Sequence, residues 1–375
     1  MELKNILIND DSIEYMKSLD ENSIDLIFAD PPYWMRTTGT LKRVEGTNFD
    51  GCNDEWDKFN SLKDYKEFTK KWLIECKRIL KKDGSIFVIG GMQCIYTIGA
   101  IMQELDFWLI NDIIWHKSNP TPNFKGTRLN NSHETIIWAA KSIKSKVTFN
   151  YKTAKELNNE NIEISKFTKG ERKQMGSVWK FPICSGLERL KDEEYNKLHS
   201  TQKPEALLYR IIAISSKIGD TILDPFAGTM TTGAMAKKMG RNCIMIEKDL
   251  KYFTHGKKRV DFTKMLIGDI EKSIFDNKPT KVHFKDLISK NYLKVGDKFT
   301  NLSNDDYATL RDDGKLYYNN EVLDIHTCAA KFANKNADRI NGFDYWYVVR
   351  NNHLVFLNDI REKARKDIEK LSENT

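Results

Sequence analysis

Ile222-Leu-Asp-Pro-Phe-Ala-Gly-Thr-Met-Thr-Thr-Gly233 starts as an apolar strand, passes through a glycine turn, and continues into a helix-like segment at 234–239. Residues 242–246 (NCIMI) read as the next strand, which ends at Glu247. Strand, turn, helix and strand in succession make a βαβ unit, whose glycine lets the backbone approach a ligand at the carboxyl edge of a parallel sheet. Glu247 follows Gly228 by nineteen residues, close to the spacing at which an acid binds the ribose hydroxyls of an adenosine-type ligand. The turn contains neither G-x-G-x-x-G nor G-K-[ST], which argues against NAD and against an ATP phosphate cradle. With no pyrophosphate cradle, the ligand that fits is adenosine bearing a cationic sulfonium tail. A pocket holding Asp11, Asp30 and Asp224 suits that charge.

Outward from this unit, strand-like and helix-like segments alternate, as in a mostly parallel sheet with covering helices. Residues 24–30 (IDLIFAD) form a buried strand stopped by two prolines. Between 64 and 81, Tyr65, Phe68, Trp72, Cys76, Ile79 and Leu80 recur at helical spacing, with Asp64 placed to cap the start. Strands are expected at 85–90, 107–115 and 135–139, and helices at 94–105 and 205–216. The polar stretch 142–199 breaks this rhythm and reads as an insertion, and 268–280 reads as a linker. A further piece follows at 281–375. In it, 344–350 alternates like a strand, Trp346 reads as core in preference to a stacking surface, and a charged closing helix at 358–371 is expected to lie on the surface.

With 375 residues, 40% of them apolar, the chain has enough material for a large core plus a smaller appendage. The formal charge of +7 makes a polyanion a plausible partner. Residues 141–180 hold ten Lys/Arg against four Asp/Glu, so one segment supplies most of the excess. The six cysteines are scattered without a C-x-x-C pair or zinc-like histidine spacing, so no metal site is expected. The start, Met-Glu-Leu-Lys-Asn, opens no apolar run, and no membrane-length apolar stretch follows, so the expectation is a cytoplasmic protein without a membrane partner.

Asp30-Pro-Pro-Tyr33 ends the first strong strand. Pro31 and Pro32 fix φ, remove two backbone donors and keep their carbonyls as acceptors. An exocyclic NH2 offers two protons, which a carboxylate and a neighbouring carbonyl match. If Asp30 and the Pro31 carbonyl accept both, the nitrogen lone pair is freed from the ring. Tyr33 offers a flat face for a base taken out of its stack. Cytosine C5 chemistry needs a nucleophilic Cys, normally after a proline, and the chain has no Pro-Cys pair.

These motifs resemble the β-class amino-methyltransferases of DNA, in which the catalytic motif precedes the cofactor motif. Asp30-Pro-Pro-Tyr33 is similar to the family's catalytic tetrapeptide, and Asp224-Pro-Phe-Ala-Gly228 with Thr231-Thr232 to its cofactor loop. His199-Ser-Thr-Gln-Lys-Pro204 resembles the element that closes over the methionine part of the cofactor. Asn9-Asp-Asp-Ser-Ile13 resembles the segment that reaches the cofactor's adenine. The four resemblances run in the family's order over residues 1–261. They imply S-adenosylmethionine as cofactor, held by Asp11, Asp30, His199, Thr201, Gln202, Lys203, Asp224, Phe226, Gly228, Thr231, Thr232 and Glu247.

Asn119-Pro-Thr-Pro-Asn-Phe-Lys-Gly126, Asn131-Ser-His-Glu-Thr135 and Phe181-Pro-Ile-Cys-Ser-Gly-Leu-Glu-Arg-Leu-Lys191 are similar to phrases of the HinfI-type and cell-cycle-regulated adenine methyltransferases. That resemblance implies GANTC specificity and makes the piece after Lys281 a DNA-binding extension. Two departures stand out. Met230 replaces the second glycine usual in the cofactor loop, which is expected to narrow the pocket or weaken cofactor affinity. Trp34 follows the catalytic Tyr where relatives often have Asn, and either adds a stacking surface or packs the loop.

The expected architecture is α/β, a Rossmann-like doubly wound, mostly parallel sheet of the SAM-dependent methyltransferase kind. Residues 1–267 form the methyltransferase domain, with target recognition inserted at about 117–198, and 281–375 form a small α+β domain. Lys117, Asn123, Lys125, Arg128, Asn130, Asn131 and His133 are donor-rich residues expected at the DNA, since Arg pairs with guanine edges and Asn with adenine edges. The basic run 141–180 is assigned to phosphates. The partner is double-stranded DNA, and the resemblance leaves room for a homodimer and for a cognate restriction endonuclease acting on the same site. Three rivals remain. A cytosine-N4 methyltransferase would more often have Ser at position 30. An RNA or protein-amide methyltransferase usually lacks the insertion. A catalytically silent DNA-binding module would not need Asp30 and Glu247.

Overall fold

A strand that is apolar at successive positions must be covered on both faces, and residues 24–29 are covered in that way. Leu26 and Phe28 join one core, and Ile27 and Ala29 join another. The computed structural model describes residues 3–35, 41–42, 48–49, 57–123, 127–158, 173–276, 281–302, 306–334, 337–350 and 353–373. The chain divides into two units, one of residues 1–265 and 273–276, the other of 266–272 and 277–375.

The first unit opens with β1 (Asn5–Ile8), α1 (Ser12–Lys17) and β2 (Ile24–Ala29), then a small ribbon of β3 (Leu41–Lys42) and β4 (Asn48–Phe49). It continues through α2 (Leu62–Ile79), β5 (Leu80–Gly90), α3 (Ile95–Glu104), β6 (Trp108–Lys117), β7 (His133–Ala140), α4 (Tyr151–Glu156) and β8 (Val178–Phe181). The closing elements are α5 (Glu205–Ser215), β9 (Thr221–Asp224), α6 (Thr231–Lys238), β10 (Asn242–Ile246) and α7 (Leu250–Phe262). Eight strands pair in the order β1-β10-β9-β2-β5-β7-β6-β8, and only β7 runs against the rest. Helices cover both faces, with α5 and α6 on one and α2 and α3 on the other. The doubly wound, mostly parallel α/β sheet is therefore as expected. Its strand order reverses between β2 and β9, the switch point at which such sheets open a crevice beyond their carboxyl ends.

Local details differ from the expectations. Ser61, not Asp64, caps α2: its Oγ accepts from the Asp64 N–H at 3.1 Å, and Asp64 adds negative charge to the first turn. The span 117–198 contributes two strands to the main sheet, because β7 lies between β5 and β6 and β8 pairs with β6. Among the described residues of that span, 118–123, 127–132, the stretch around α4 and 182–198 lie outside the sheet.

The second unit begins at Leu266, just ahead of the interval 268–280 expected to be a linker, and α8 (Ile267–Lys272) runs into that interval. Residues 273–276 belong to the first unit, and Asp276 accepts from the backbone N–H groups of Lys152 and Thr153. Then come α9 (Phe284–Ser289), β11 (Lys298–Thr300), β12 (Ala308–Leu310), β13 (Leu316–Tyr318), β14 (Glu321–Leu323), α10 (Ile325–Phe332), β15 (Tyr347–Arg350), β16 (His353–Phe356) and α11 (Leu357–Glu373). The six strands pair antiparallel in the order β14-β13-β12-β11-β15-β16. Trp346 is fully buried and donates from Nε1 to the Ile325 carbonyl at 2.9 Å. The closing helix is not simply surface-lying, since Leu357, Ile360 and Ala364 on one face enter this core. Among the described residues no helix is long and apolar enough to cross a membrane.

Candidate active site

Three adjacent parallel strands end in acids. Asp224 closes β9, Asp30 follows β2 on one side of it, and Glu247 follows β10 on the other. Beyond them lies a cavity of about 380 Å³, within the range of small-molecule and cofactor sites. All twelve residues expected to hold a cofactor line it, from Asp11 on the β1–α1 turn to Glu247, as do Pro31, Pro32 and Tyr33. Phe59, Phe68 and Phe226 supply apolar wall.

The loop after β9 is built for close approach. Gly228 has φ +49°, a left-handed conformation that suits glycine, and its N–H donates to Glu247 Oε2 at 2.7 Å. Asp249 N–H donates to Glu247 Oε1 at 2.7 Å, so the acid is held on both oxygens. Asp224 accepts from Phe226 N–H at 3.0 Å and from Thr232 Oγ1 at 2.6 Å. Burial, opposed by these two bonds, pushes its carboxyl up to about 7. Asp11 caps α1 through the Ile13 N–H and meets Lys248 at 3.2 Å.

Met230 corrects the expectation of a narrowed pocket. Its backbone is left-handed at φ +55°, a conformation that glycine adopts at least cost. Its side chain, however, turns into the core, where a Cβ on Gly256 would lie 2.7 Å from Met230 Cγ. Trp34 likewise packs. At φ +51° it stacks on Tyr65 at 5.7 Å, Nε1 donates to the Phe59 carbonyl, and its N–H and that of Met35 donate to the two oxygens of Asp57.

At the catalytic corner, Tyr65 Oη donates to the Pro32 carbonyl at 2.9 Å, while among the described residues the Pro31 carbonyl accepts no hydrogen bond. Asp30 Oδ2 pairs with Lys203 Nζ at 2.6 Å, and the buried Oδ1 has no partner among the described residues. Burial pushes the Asp30 carboxyl up and the Lys203 ammonium opposes it. Tyr33 Oη donates to Glu134 Oε2 at 3.0 Å, and Lys117 Nζ donates to Glu134 Oε1 at 2.6 Å. Burial works to raise Glu134, but Lys203, Lys117 and the Tyr33 hydroxyl hold it below the usual carboxylate range.

The segment bearing His199 to Lys203 closes one side of the cavity. His199 lies against the Tyr252 ring at 4.6 Å, and burial with the nearby Lys203 and Arg189 charges takes it down to about 4. Thr201 N–H donates to His199 Nδ1 at 3.2 Å. Thr231 Oγ1 bonds the Lys203 carbonyl at 3.3 Å and accepts from Arg259 at 2.8 Å. Two expected cofactor contacts are committed elsewhere. Gln202 uses Oε1 for Leu190 N–H and Nε2 for the Glu188 carbonyl, and Lys203 faces Asp30.

The expected DNA-facing residues fall into two groups. Arg128, Asn130, Asn131 and His133 are exposed where the loop between β6 and β7 returns to the sheet, with Arg128 donating to Asn131 Oδ1 at 3.3 Å. Asn123 is half-buried on the same loop, and Lys125 lies outside the described residues. Lys117, expected at the DNA, has its amine engaged by half-buried Glu134. Lys141, the first residue of the basic run, is also committed, donating to the Leu80 carbonyl at 2.6 Å at the end of α2. Residues 159–172 of that run lie outside the described residues. Sequence reasoning did not single out Glu134 as a site residue. The only signal was its place in the phrase 131–135.

The family described as DNA methylase matches residues 24–258. The chain is 50% identical to the type II methyltransferase M.HinfI of Haemophilus influenzae over 357 residues, 95% of this chain and 96% of that one. It is 37% identical to the type II methyltransferase M2.DpnII of Streptococcus pneumoniae over 259 residues, 69% and 90% of the two chains. Among solved structures, the PvuII DNA methyltransferase (cytosine-N4-specific) aligns with a TM-score of 0.50 at 18% identity, covering 73% of this chain and 92% of that chain, a likeness of fold alone.

Proposed function

The chain belongs to the DNA methylase family, and on that premise we propose that it methylates adenine N6 at a specific site in double-stranded DNA, the sequence GANTC. The observation that carries this reading is Asp30 Oδ1, a buried carboxylate oxygen without a partner among the described residues, next in the chain to Pro31, whose carbonyl accepts no hydrogen bond among them. Two open acceptors on adjacent residues match in number the two hydrogens of an exocyclic amine. A buried acceptor left unmade costs roughly 1–3 kcal/mol, so its retention calls for a ligand that completes it.

The cavity residues fit S-adenosylmethionine. Glu247, braced by Gly228 and Asp249, would hold the ribose hydroxyls, Phe226 the apolar face, and Asp224 with Asp30 a cationic sulfonium. When bound, S-adenosylmethionine supplies the methyl group. The chain's own residues do the rest. A flipped adenine stacks on Tyr33, whose ring is held by its hydroxyl on Glu134. Asp30 Oδ1 and the Pro31 carbonyl accept the two N6 hydrogens and aim the lone pair. The proton of the reaction leaves to water, so no strong general base is required.

Resemblance in the phrases 119–126, 131–135 and 181–191 to methyltransferases that modify GANTC supports that site. Identity of 50% to a type II methyltransferase supports a cognate endonuclease as companion. The exposed Arg128, Asn130, Asn131 and His133 are the residues this reading assigns to base edges, and Asn123 and Lys125 are proposed DNA contacts as well. The second unit serves as the DNA-binding extension.

Mass spectrometry of nucleosides tests the proposal, on DNA incubated with the protein and S-adenosylmethionine, with a matched control lacking GANTC. The expected result is N6-methyladenine in the first DNA alone. N4-methylcytosine would overturn the base assignment, and N6-methyladenine in both DNAs would overturn the site.

A further inference from the structure

Lys203 sits in the segment that resembles a cofactor-closing element, yet its ammonium points away from that duty. Nζ is 2.6 Å from Asp30 Oδ2, 3.2 Å from the Thr201 carbonyl, 3.9 Å from Glu134 Oε2 and 5.3 Å from the centre of the Tyr33 ring. The side chain is buried, so its donors are spent on these groups and not on solvent. Glu134 is the second hub. It accepts from Tyr33 and from Lys117, and it stands on β7 opposite Trp115, at the root of the loop 118–132. Two carboxylates and two ammonium groups thus alternate in a chain, Asp30–Lys203–Glu134–Lys117, whose Lys203 is buried and whose other members are half-buried, with Tyr33 tied to its middle.

The physical consequence concerns what Asp30 can do. A buried carboxyl tends to take up a proton, and a protonated oxygen donates where the amine needs an acceptor. A cation on Oδ2 keeps the group ionised and occupies one oxygen, which leaves the other for the ligand. A cation shared by two carboxylates is itself held in place, because moving it would strand two buried charges.

We propose that Lys203 and Glu134 are positioning residues that hold Asp30 as an oriented carboxylate, with Oδ1 reserved for the amino group of the target base. This rests on the reading of Asp30 as the amino-group acceptor. The groups facing Asp30 are Tyr33 on its own turn, Cys94 before α3, Glu134 on β7, Asp224 at the end of the neighbouring β9, and Lys203, with Lys117 behind Glu134. Of these, Lys203 lowers the Asp30 carboxyl and Glu134 raises it. Removing one or the other must therefore move the titration of Asp30 in opposite directions.

The experiment is the single-turnover methylation rate against pH, with saturating S-adenosylmethionine and a duplex that the wild-type protein methylates. Calorimetric binding of S-adenosylmethionine checks that each variant is folded. Lys203→Met is expected to lower the rate on the order of 100-fold and shift the acid limb to higher pH. Glu134→Gln keeps an oxygen for Tyr33, and is expected to lower the rate about 10-fold and shift the limb to lower pH. Lys203→Arg keeps the charge and leaves the limb in place. A general loosening of the site would not produce limbs that separate in opposite directions. Limbs that stay put, or that move together, would overturn the proposal. If Lys203→Met does not fold, the downward shift in Glu134→Gln decides. Asp30→Ala separates the two levels of inference. Turnover in that variant removes the reading of Asp30 itself. A dead Asp30→Ala beside wild-type limbs in Lys203→Met and Glu134→Gln removes only the positioning roles.

Discussion

The cavity of the first unit and the core of the second handle awkward residues in different ways. Among the described residues of the second unit, all six left-handed positions are Asn or Gly: Asn291, Asn319, Asn320, Asn334, Gly296 and Gly314. Those residue types adopt that backbone at least cost. Beside the cavity, Trp34 and Met230 take the same conformation, at φ +51° and +55°, with bulky side chains. Charge follows the same division. Buried Arg365 of the second unit meets Glu271 and Glu362, both at 2.5 Å. Around the cavity, Asp224 is buried without a cation in hydrogen-bond contact, and Asp30 leaves one oxygen unpaired. The division concerns backbone and carboxylate charge and not every polar atom, since Asn358 Oδ1 and Arg350 Nε of the second unit also lack a partner among the described residues. Bulky left-handed residues and an open carboxylate oxygen stand together where a ligand would bind.

The sharpest test of that division is Asp30→Ala. Single-turnover methylation is expected to fall by at least about 1,000-fold, with calorimetric affinity for S-adenosylmethionine retained. The opposite signature belongs to Trp346→Ala. This ring meets Phe299, Phe332 and Tyr345 edge-on, and its loss should cost about 3–5 kcal/mol in chemical denaturation. Affinity of the folded protein for S-adenosylmethionine should not change. If it did, the two regions would not be separable in the way the comparison holds.

Asp224→Asn probes the buried acid. A carboxyl raised to about 7 contributes stability that is fully present below its ordinary value and is lost as pH rises through 7. The ligand-free protein should therefore melt at progressively lower temperature from about pH 5 to pH 8. Asn should flatten that slope, at roughly 2–4 °C per kcal/mol relieved. An equal effect of the substitution at both pH values would count against the buried charge. The smallest effect concerns Met230. Gly256→Ala should cost about 1–3 kcal/mol, because the new methyl meets Met230 Cγ at 2.7 Å. Adding Met230→Gly should recover part of the loss by removing the clash and the left-handed strain together. Strict additivity in that double-mutant cycle would show that the two positions do not share this contact.

Much of the first unit was legible in the sequence. The βαβ unit at 222–247, the strand at 24–30 and the acids that end them are local patterns, and all twelve expected cofactor residues line one cavity. Others were misplaced for a common reason. Lys117, in a donor-rich stretch, and Lys141, in the basic run, look like solvated cations, but the sheet brings the Glu134 carboxylate to the first and the Leu80 carbonyl to the second. The interval 268–280 looks like a linker because it is polar, yet its first part forms α8.

The sequence by itself determined the order of the motifs, the strand ends at which the acids stand, and the glycine turn, because each depends on backbone preferences over a few residues. Only the tertiary structure decided that Lys203 turns to Asp30, 173 residues away in the chain, and that Glu134 joins Tyr33 across 101 residues. It also decided that Met230 points into the core and not into the pocket. A buried charge must find its partner wherever the strand order places one, and that order is set by packing the whole sheet between its helices, which no local pattern records.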